Sequence, residues 1–106
     1  MKKTLWYVYI IETEKGLLYT GITNDVARRF NEHSRTQKGK KGAKFFHIDS
    51  PKSIVYIEEV KNRSEATKKE IFIKKMTRSK KQDFLRKYFL RSEKIGKSIG
   101  FEISSK

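Results

Sequence analysis

The alternation of apolar and polar residues predicts three strands in this chain. Residues 6–11 form an unbroken run of aromatic and β-branched side chains, which is typical of a strand. Residues 14–16 supply a turn, and residues 17–22 return as the second strand of a hairpin. A third strand is predicted over residues 53–60, where apolar side chains point alternately to the two faces.

Apolar residues spaced four apart predict a helix directly after the second strand. Residues 23–25 offer side-chain oxygens for the N-cap, and the carboxylate of Asp25 suits the positive end of the helix dipole. Val26 and Phe30 then form a core-facing stripe, and the helix is expected to end near Ser34.

Two further helices are predicted in the C-terminal half. One has Ser64 as its expected N-cap and ends near Met76. Its apolar arc consists of Ala66, Phe72, Ile73 and Met76. The other begins at Ser79, which forms a capping box with Gln82. Its apolar stripe consists of Phe84, Leu85, Tyr88 and Phe89.

These elements predict an α+β domain over residues 1–91, with a small, mainly antiparallel three-stranded sheet flanked by helices. A chain of 106 residues is long enough for one modest core and too short for two domains. Residues 92–106 are polar and are expected to form a C-terminal tail. This tail is either partly disordered or holds a short strand near residues 101–103.

The charge balance points to a polyanionic partner. Lys and Arg number 26 against 12 Asp and Glu, which gives a formal net charge of +14 at pH 7. Nucleic acid is the simplest such partner. An anionic membrane surface is the other candidate, but no strongly apolar helical segment accompanies the charge.

Composition also limits the expected cellular location and the kinds of metal site and nucleophile that the chain can have. No apolar run approaches membrane-spanning length, and the N-terminus lacks a long apolar region ending in small residues, so a cytoplasmic location is the default expectation. The absence of cysteine excludes disulfides, thiolate metal sites and cysteine nucleophiles. With two histidines, a zinc site built on several histidines is not expected.

A polar pair on the first helix is the first candidate for chemistry. Arg29 and His33 lie one turn apart and project from the same flank. A guanidinium neutralises developing charge on phosphate oxygens, and an imidazole accepts or relays a proton. The alternative interpretation is an exposed polar pair on an ordinary surface helix.

A tyrosine pair and a carboxylate are the other candidates. Tyr7 and Tyr9 share one face of the first strand, and Val8 and Ile10 share the opposite face. Tyrosines in strands ordinarily serve packing. Glu70 lies at the edge of an apolar arc and is expected to be half-buried, with either a lysine or arginine or a divalent metal as its partner.

A basic loop is predicted over residues 35–44. It contains glycines and no acidic residue, and it either follows a phosphate backbone or is a solvated loop. Phe45 and Phe46 follow it, and they either stack on bases or pack into the core.

Several of these segments together resemble the GIY-YIG nucleases. Tyr7-Val8-Tyr9 and Tyr19-Thr20-Gly21 are similar to the paired signature of that family. Arg29 and His33 fit the helix that follows the signature, and Glu70 fits the single metal-binding glutamate of a later helix. The likeness covers about residues 5–90.

In particular, the chain resembles the small stand-alone bacterial UPF0213 proteins of the UvrC/intron-endonuclease (URI) branch. Their glycine- and lysine-containing loop is echoed by Gly39-Lys-Lys-Gly-Ala-Lys44. Tyr7 stands where the first signature of the wider family has glycine.

The resemblance implies a metal-dependent endonuclease that acts on DNA. One Mg²⁺ or Mn²⁺ ion would bind Glu70, and Arg29 would contact the phosphate under attack. Either Tyr9 or Tyr19 would help to deprotonate the attacking water, with a lowered pKa or with assistance from Arg29, His33 or the metal ion. Further contacts with nucleic acid are expected from Arg28, Lys40, Lys41 and Lys44.

The resemblance also bears on the substrate and on the functional class. The resemblance implies structure-directed or weakly sequence-specific cleavage of single-stranded, flapped or branched DNA in repair or processing, with RNA as another possible substrate. No membrane or obligate protein partner is expected. The alternative functions are a non-catalytic nucleic-acid-binding module and a protein that binds an acidic partner.

Overall fold

A three-stranded antiparallel sheet with helices on both faces forms the fold. The computed structural model describes residues 5–34 and 50–105, except for the side chains of residues 31–34. Its strands are β1 (Trp6–Thr13), β2 (Leu18–Thr23) and β3 (Pro51–Val60). Its helices are α1 (Val26–Ser34), α2 (Arg63–Lys74), α3 (Arg78–Lys87) and α4 (Phe89–Ile99). Both pairings are antiparallel in the order β2-β1-β3, which confirms the predicted fold class.

The β1–β2 turn forms where the sequence predicts it. Gly16 adopts a φ of 86°, a left-handed conformation that costs glycine little. Its N–H donates to the carbonyl of Thr13 at 2.9 Å. The Thr13 hydroxyl accepts from the N–H of Leu17 at 3.0 Å, so the buried end of β1 closes the hairpin.

One face of the sheet carries α2 and α3. Val8 and Ile10 of β1 belong to a buried cluster with Ala66 and Ile73 of α2 and with Leu85 of α3. The first four of these side chains are fully excluded from solvent. The alternation predicted for β1 is confirmed on this face, because Val8 and Ile10 point into the same core.

The opposite face carries α1 and α4. Tyr9 and Ile11 of β1 share a buried cluster with Val26 of α1. Tyr7 packs against the same cluster, as the predicted alternation requires. Partly buried side chains complete this core from both helices and the segment that follows α4; they are Phe30, Phe89, Ile95, Ile99 and Phe101.

The two later helices begin earlier than the sequence predicts. Asn62, not Ser64, caps α2, and its side chain accepts a hydrogen bond from the N–H of Glu65 at 2.9 Å. Thr77, not Ser79, caps α3 by accepting from the N–H of Lys80 at 3.2 Å. Both caps have extended backbone, and each helix starts at the next residue.

The apolar faces of these helices also differ from prediction. Phe72 is 56% exposed, although it was expected in the core-facing arc of α2. Tyr88 interrupts the last predicted helix with φ −105° and ψ 13°, which separates α3 from α4. The stripe therefore divides: Phe84 and Tyr88 pack against the α2 side of the sheet, and Phe89 packs against the α1 side.

The polar tail predicted from residue 92 is wrong over most of its length. Residues 92–99 belong to α4, which ends at Gly100 with a φ of 87°. Ile103 then pairs with Ile54 in an isolated parallel bridge, so the short strand expected near residues 101–103 is reduced to one bridge. Small residues explain the error, because the buried Ser92 and Gly96, which fit against β3 and residues 101–103, interrupt the apolar stripe of α4.

Among the helices in residues 5–34 and 50–105, none is long and apolar enough to cross a bilayer.

The outer edge of β3 generates a test of the fold. Ser92 is 1% exposed, and its hydroxyl accepts from the N–H of Ile57 at 3.2 Å and donates to the Ile57 carbonyl at 3.1 Å. Ser92→Ala leaves both backbone groups buried and unpaired, so we expect the free energy of unfolding to fall by about 1–3 kcal/mol in urea titration.

The matched control is Ser98→Ala on the same helix. The exposed hydroxyl of Ser98 donates to the carbonyl of Ile95, and its loss should change stability by less than about 0.5 kcal/mol. Equal effects of the two substitutions would show that Ser92 does not hold α4 against β3.

Candidate active site

A close contact between β1 and β2 forms the base of the site. The register pairs Tyr9 with Gly21, and Tyr9 is 3% exposed. A Cβ atom added at Gly21 would lie 2.5 Å from the Tyr9 hydroxyl oxygen and 2.7 Å from the Cζ atom. The Tyr9 ring therefore lies across the backbone of Gly21, a close approach that only glycine allows at this position. The contact carries the Tyr9 hydroxyl from the central strand to β2.

The start of α1 positions Arg29 over this hydroxyl. The Thr23 hydroxyl accepts from the N–H of Asp25 at 3.0 Å, and the Asp25 carboxylate accepts from the N–H of Arg28 at 3.1 Å. Val26 is buried, so the helix is fixed against the sheet one turn before Phe30. The Arg29 guanidinium donates a hydrogen bond to the Tyr9 hydroxyl.

Electrostatic effects on Tyr9 identify its neighbours. Burial raises the pKa of the Tyr9 hydroxyl above its usual value, and Tyr19 raises it further. The hydrogen bond and the positive charge of Arg29 lower this pKa, while the negative charge of Glu70 raises it. Of the five predicted catalytic residues, Arg29 therefore hydrogen-bonds to Tyr9, and Tyr19 and Glu70 lie near enough to influence its ionisation. Burial dominates, so Tyr9 is a neutral phenol at pH 7 in the unliganded protein.

Glu70 approaches the same region from α2, on the other face of the sheet. Its side chain is 20% exposed, as the sequence predicts, and its carboxylate lies 3.2 Å from the ammonium of Lys74. The predicted ion pair is therefore present. Lys74 was not among the predicted site residues, although its position four residues after Glu70 was available in the sequence.

The fit of a divalent ion depends on this single carboxylate. No group of three or more His, Cys, Asp or Glu side chains occurs in the part of the chain that the structure describes. An all-protein metal cage is therefore absent from these residues. Mg²⁺ is commonly held by one or two carboxylates together with water and substrate phosphates, and Glu70 fits that type of site.

The remaining predicted residues are placed only in part. His33 belongs to α1, but its side chain lies outside the described residues. The basic loop, with Lys40, Lys41 and Lys44, also lies outside them, as do Phe45 and Phe46. Arg28 is exposed on α1, one residue before Arg29.

The comparison with protein families decides the classification. A model described as the GIY-YIG catalytic domain matches residues 5–83, which include Tyr9, Tyr19, Arg29 and Glu70. The chain belongs to the GIY-YIG family. The GIY-YIG domain defines a nuclease superfamily, whose substrate is nucleic acid.

Curated relatives of this GIY-YIG chain carry the name UPF0213. The protein from Desulfotalea psychrophila is 40% identical over 81 residues, covering 76% of this chain and 71% of the relative. The Vibrio campbellii protein is 44% identical over 77 residues, covering 73% and 70%. The Yersinia enterocolitica protein is 40% identical over 82 residues, covering 77% and 80%. No solved structure matches the chain significantly.

The contact between Gly21 and Tyr9 generates a test of the site. Gly21→Ala places a methyl group inside the space of the Tyr9 ring, so we expect the free energy of unfolding to fall by about 1–3 kcal/mol. In a Tyr9→Ala background the ring is gone, and the same change should be neutral or slightly stabilising, because alanine restricts the unfolded chain. Urea titration of the four proteins measures the coupling. An equal cost in both backgrounds would contradict the assigned contact.

Proposed function

We propose that this chain is a divalent-metal-dependent endonuclease that hydrolyses DNA phosphodiester bonds at single-stranded, flapped or branched sites. The observation that carries the proposal is the hydrogen bond of Arg29 to the Tyr9 hydroxyl, with Tyr19 and Glu70 near enough to influence that hydroxyl. A fixed cation, a proton acceptor and a carboxylate able to hold a divalent ion together suit a phosphodiester centre. The net charge of +14 supports attraction of a polyanionic substrate.

Arg29 is the proposed phosphate ligand. Its guanidinium is permanently charged and presents N–H donors in the planar geometry that suits phosphate oxygens. The start of α1 holds it in place before substrate arrives. Arg29 therefore stabilises the negative charge that develops on the phosphate oxygens.

Tyr9 is the proposed acceptor of the proton from the attacking water. Its hydroxyl accepts a hydrogen bond from Arg29, which stabilises its ionised form. Its pKa is raised in the unliganded protein, so the ionised fraction is small at neutral pH. Tyr19 is partly exposed beside it and is the second candidate for this role.

Glu70 is the proposed ligand of Mg²⁺ or Mn²⁺. Glu70 would hold the ion, which would supply polarisation of the scissile phosphate and stabilisation of the leaving oxygen. In the unliganded protein, Lys74 balances the charge of Glu70. One carboxylate completes only a small part of a Mg²⁺ coordination shell, which favours binding of the ion together with substrate.

A non-catalytic nucleic-acid-binding module is the second candidate function. The ion pair between Glu70 and Lys74 favours it, because the carboxylate is already neutralised without a metal. In such a module the basic surface would provide metal-independent, salt-sensitive affinity for nucleic acid.

A cleavage assay separates the two functions. End-labelled single-stranded, duplex and flapped DNA are incubated with Mg²⁺, Mn²⁺ or EDTA. We expect metal-dependent cutting by wild type, with the rate reduced about 100-fold or more in Arg29→Ala and in Glu70→Ala. The matched control is Glu65→Ala, which removes an exposed carboxylate of α2 that pairs with Lys68. This variant should cut like wild type.

Binding without cutting by wild type would favour the binding module. Cutting by Glu70→Ala at the wild-type rate would remove the proposed metal ligand from the mechanism.

The raised pKa of Tyr9 predicts the pH dependence. Below the pKa, the ionised fraction of a phenol rises tenfold per pH unit, so log(kcat/KM) should increase with a slope near one from about pH 6 to 9 without a plateau. Tyr9→Phe should be about 100-fold slower or more. A pH-independent rate, or a Tyr9→Phe variant with the wild-type rate, would exclude Tyr9 as the base; Tyr19→Phe tests the second candidate in the same assay.

A further inference from the structure

A groove between α2 and α3 lies apart from the cluster around Tyr9. It has a volume of about 520 Å³ and is lined by Phe72, Lys75, Met76, Lys80, Asp83, Phe84 and Lys87. Phe72 is 56% exposed and is the one aromatic residue among the large apolar side chains exposed in residues 5–30 and 50–105. The groove thus presents an exposed aromatic ring beside several lysines, and the ammonium of Lys69 lies over this ring, 5.8 Å from its centroid.

The lining combines apolar and cationic groups. Phe72, Met76 and Phe84 form its apolar part, and Phe84 is fixed from behind by the Tyr56 ring at a centroid distance of 5.0 Å. Lys75, Lys80 and Lys87 are exposed around it. The one acidic residue of the lining, Asp83, pairs with Arg86, so the groove as a whole is positive.

Helix α2 connects this groove to the proposed metal ligand. Lys69 pairs with Glu58 of β3 at 3.6 Å, so the side of α2 that carries Lys69 faces β3. Glu70, the next residue, is rotated by about 100° round the helix axis. Lys74, which pairs with Glu70, is followed directly by Lys75 of the groove. A polyanion that leaves Glu70 crosses the exposed face of α2, which has the width of one helix, about 10–12 Å, and passes Lys74 and Lys75 on its way to the groove.

We propose that this groove binds the single-stranded part of a nucleic-acid substrate. A base stacks on Phe72, and the neighbouring phosphates contact Lys75, Lys80 and Lys87. Aromatic rings interleaved with lysines are the usual means of binding single strands without sequence preference. The inference rests on the proposed function and deepens it, because it assigns the substrate a single-stranded segment next to the cleaved bond.

Charge argues against a second copy of the chain as the occupant. Each copy carries a net charge of +14, so pairing two lysine-lined grooves brings like charges together. An acidic peptide would satisfy the lysines, but it would have no reason to continue along Lys74 to Glu70. The nucleic-acid substrate accounts for both surfaces with one ligand.

The test is fluorescence anisotropy with labelled oligothymidylate and with duplex DNA of the same length, in EDTA. Phe72→Ala should weaken binding of the single strand about tenfold and leave duplex binding within about twofold. Lys75→Ala with Lys80→Ala should also weaken single-strand binding and reduce its salt dependence. The matched controls are Leu90→Ala, which removes a side chain of α4 that is 76% exposed, and Lys94→Ala with Lys97→Ala on the same helix.

Equal single-strand affinities of Phe72→Ala and Leu90→Ala would overturn the proposal. So would equal weakening of single-strand and duplex binding, which indicates charge attraction without stacking. Sedimentation that shows a wild-type dimer, dissociated by Phe72→Ala, would assign the groove to a second copy. Competition of an acidic peptide at the groove, without competition by oligothymidylate, would assign it to a protein partner.

The failure of this proposal and the failure of the nuclease proposal are distinguishable. Binding is measured in EDTA and does not require turnover. Weaker single-strand binding by Phe72→Ala, without metal-dependent cutting by wild type, would therefore support the groove and reject only the nuclease proposal. Metal-dependent cutting by wild type with unchanged single-strand binding by Phe72→Ala rejects the groove alone.

Discussion

The contact of the Tyr9 ring with the backbone of Gly21 is the constraint on which the site depends. It carries a hydroxyl from the central strand to β2, where Arg29 can reach it from α1. It also requires one register, because a slip of one residue between β1 and β2 would move Tyr9 away from Gly21. The contact that packs Tyr9 against Gly21 therefore also brings the Tyr9 hydroxyl within reach of the Arg29 guanidinium.

Tyr9 serves the core and the site at once, and the two roles oppose each other. Its burial stabilises the face of the sheet that carries α1 and α4, and that burial raises the pKa of its hydroxyl. The positive charge of Arg29 acts in the opposite direction but does not outweigh burial in the unliganded protein. The burial that stabilises this core therefore keeps the Tyr9 hydroxyl protonated in the unliganded protein.

The sequence predicts the elements that depend on local signals and misses those that depend on contacts between distant residues. The strands, the β1–β2 turn, the start of α1 and the half-buried Glu70 follow from alternation, helical spacing and turn chemistry, all of which act within a few residues. Helix α4 cannot be predicted from such local signals. Its small residues Ser92 and Gly96 are buried because they fit against β3 and residues 101–103, which are distant in sequence or lie beyond the helix. The hydrogen bond of Arg29 to Tyr9 likewise joins two elements whose packing no local pattern specifies.

Helix α2 gives the site its rigidity. Ala66 and Ile73 are fully buried against the sheet, so the rotation of the helix about its own axis is fixed by packing. That rotation places Glu70 where its charge acts on Tyr9 and leaves Phe72 exposed beside α3. A substitution that turns α2 would move both side chains together, because neither is positioned by a loop. The distance between the proposed metal ligand and the groove is therefore set by one helix, and a substrate that engages both must match it.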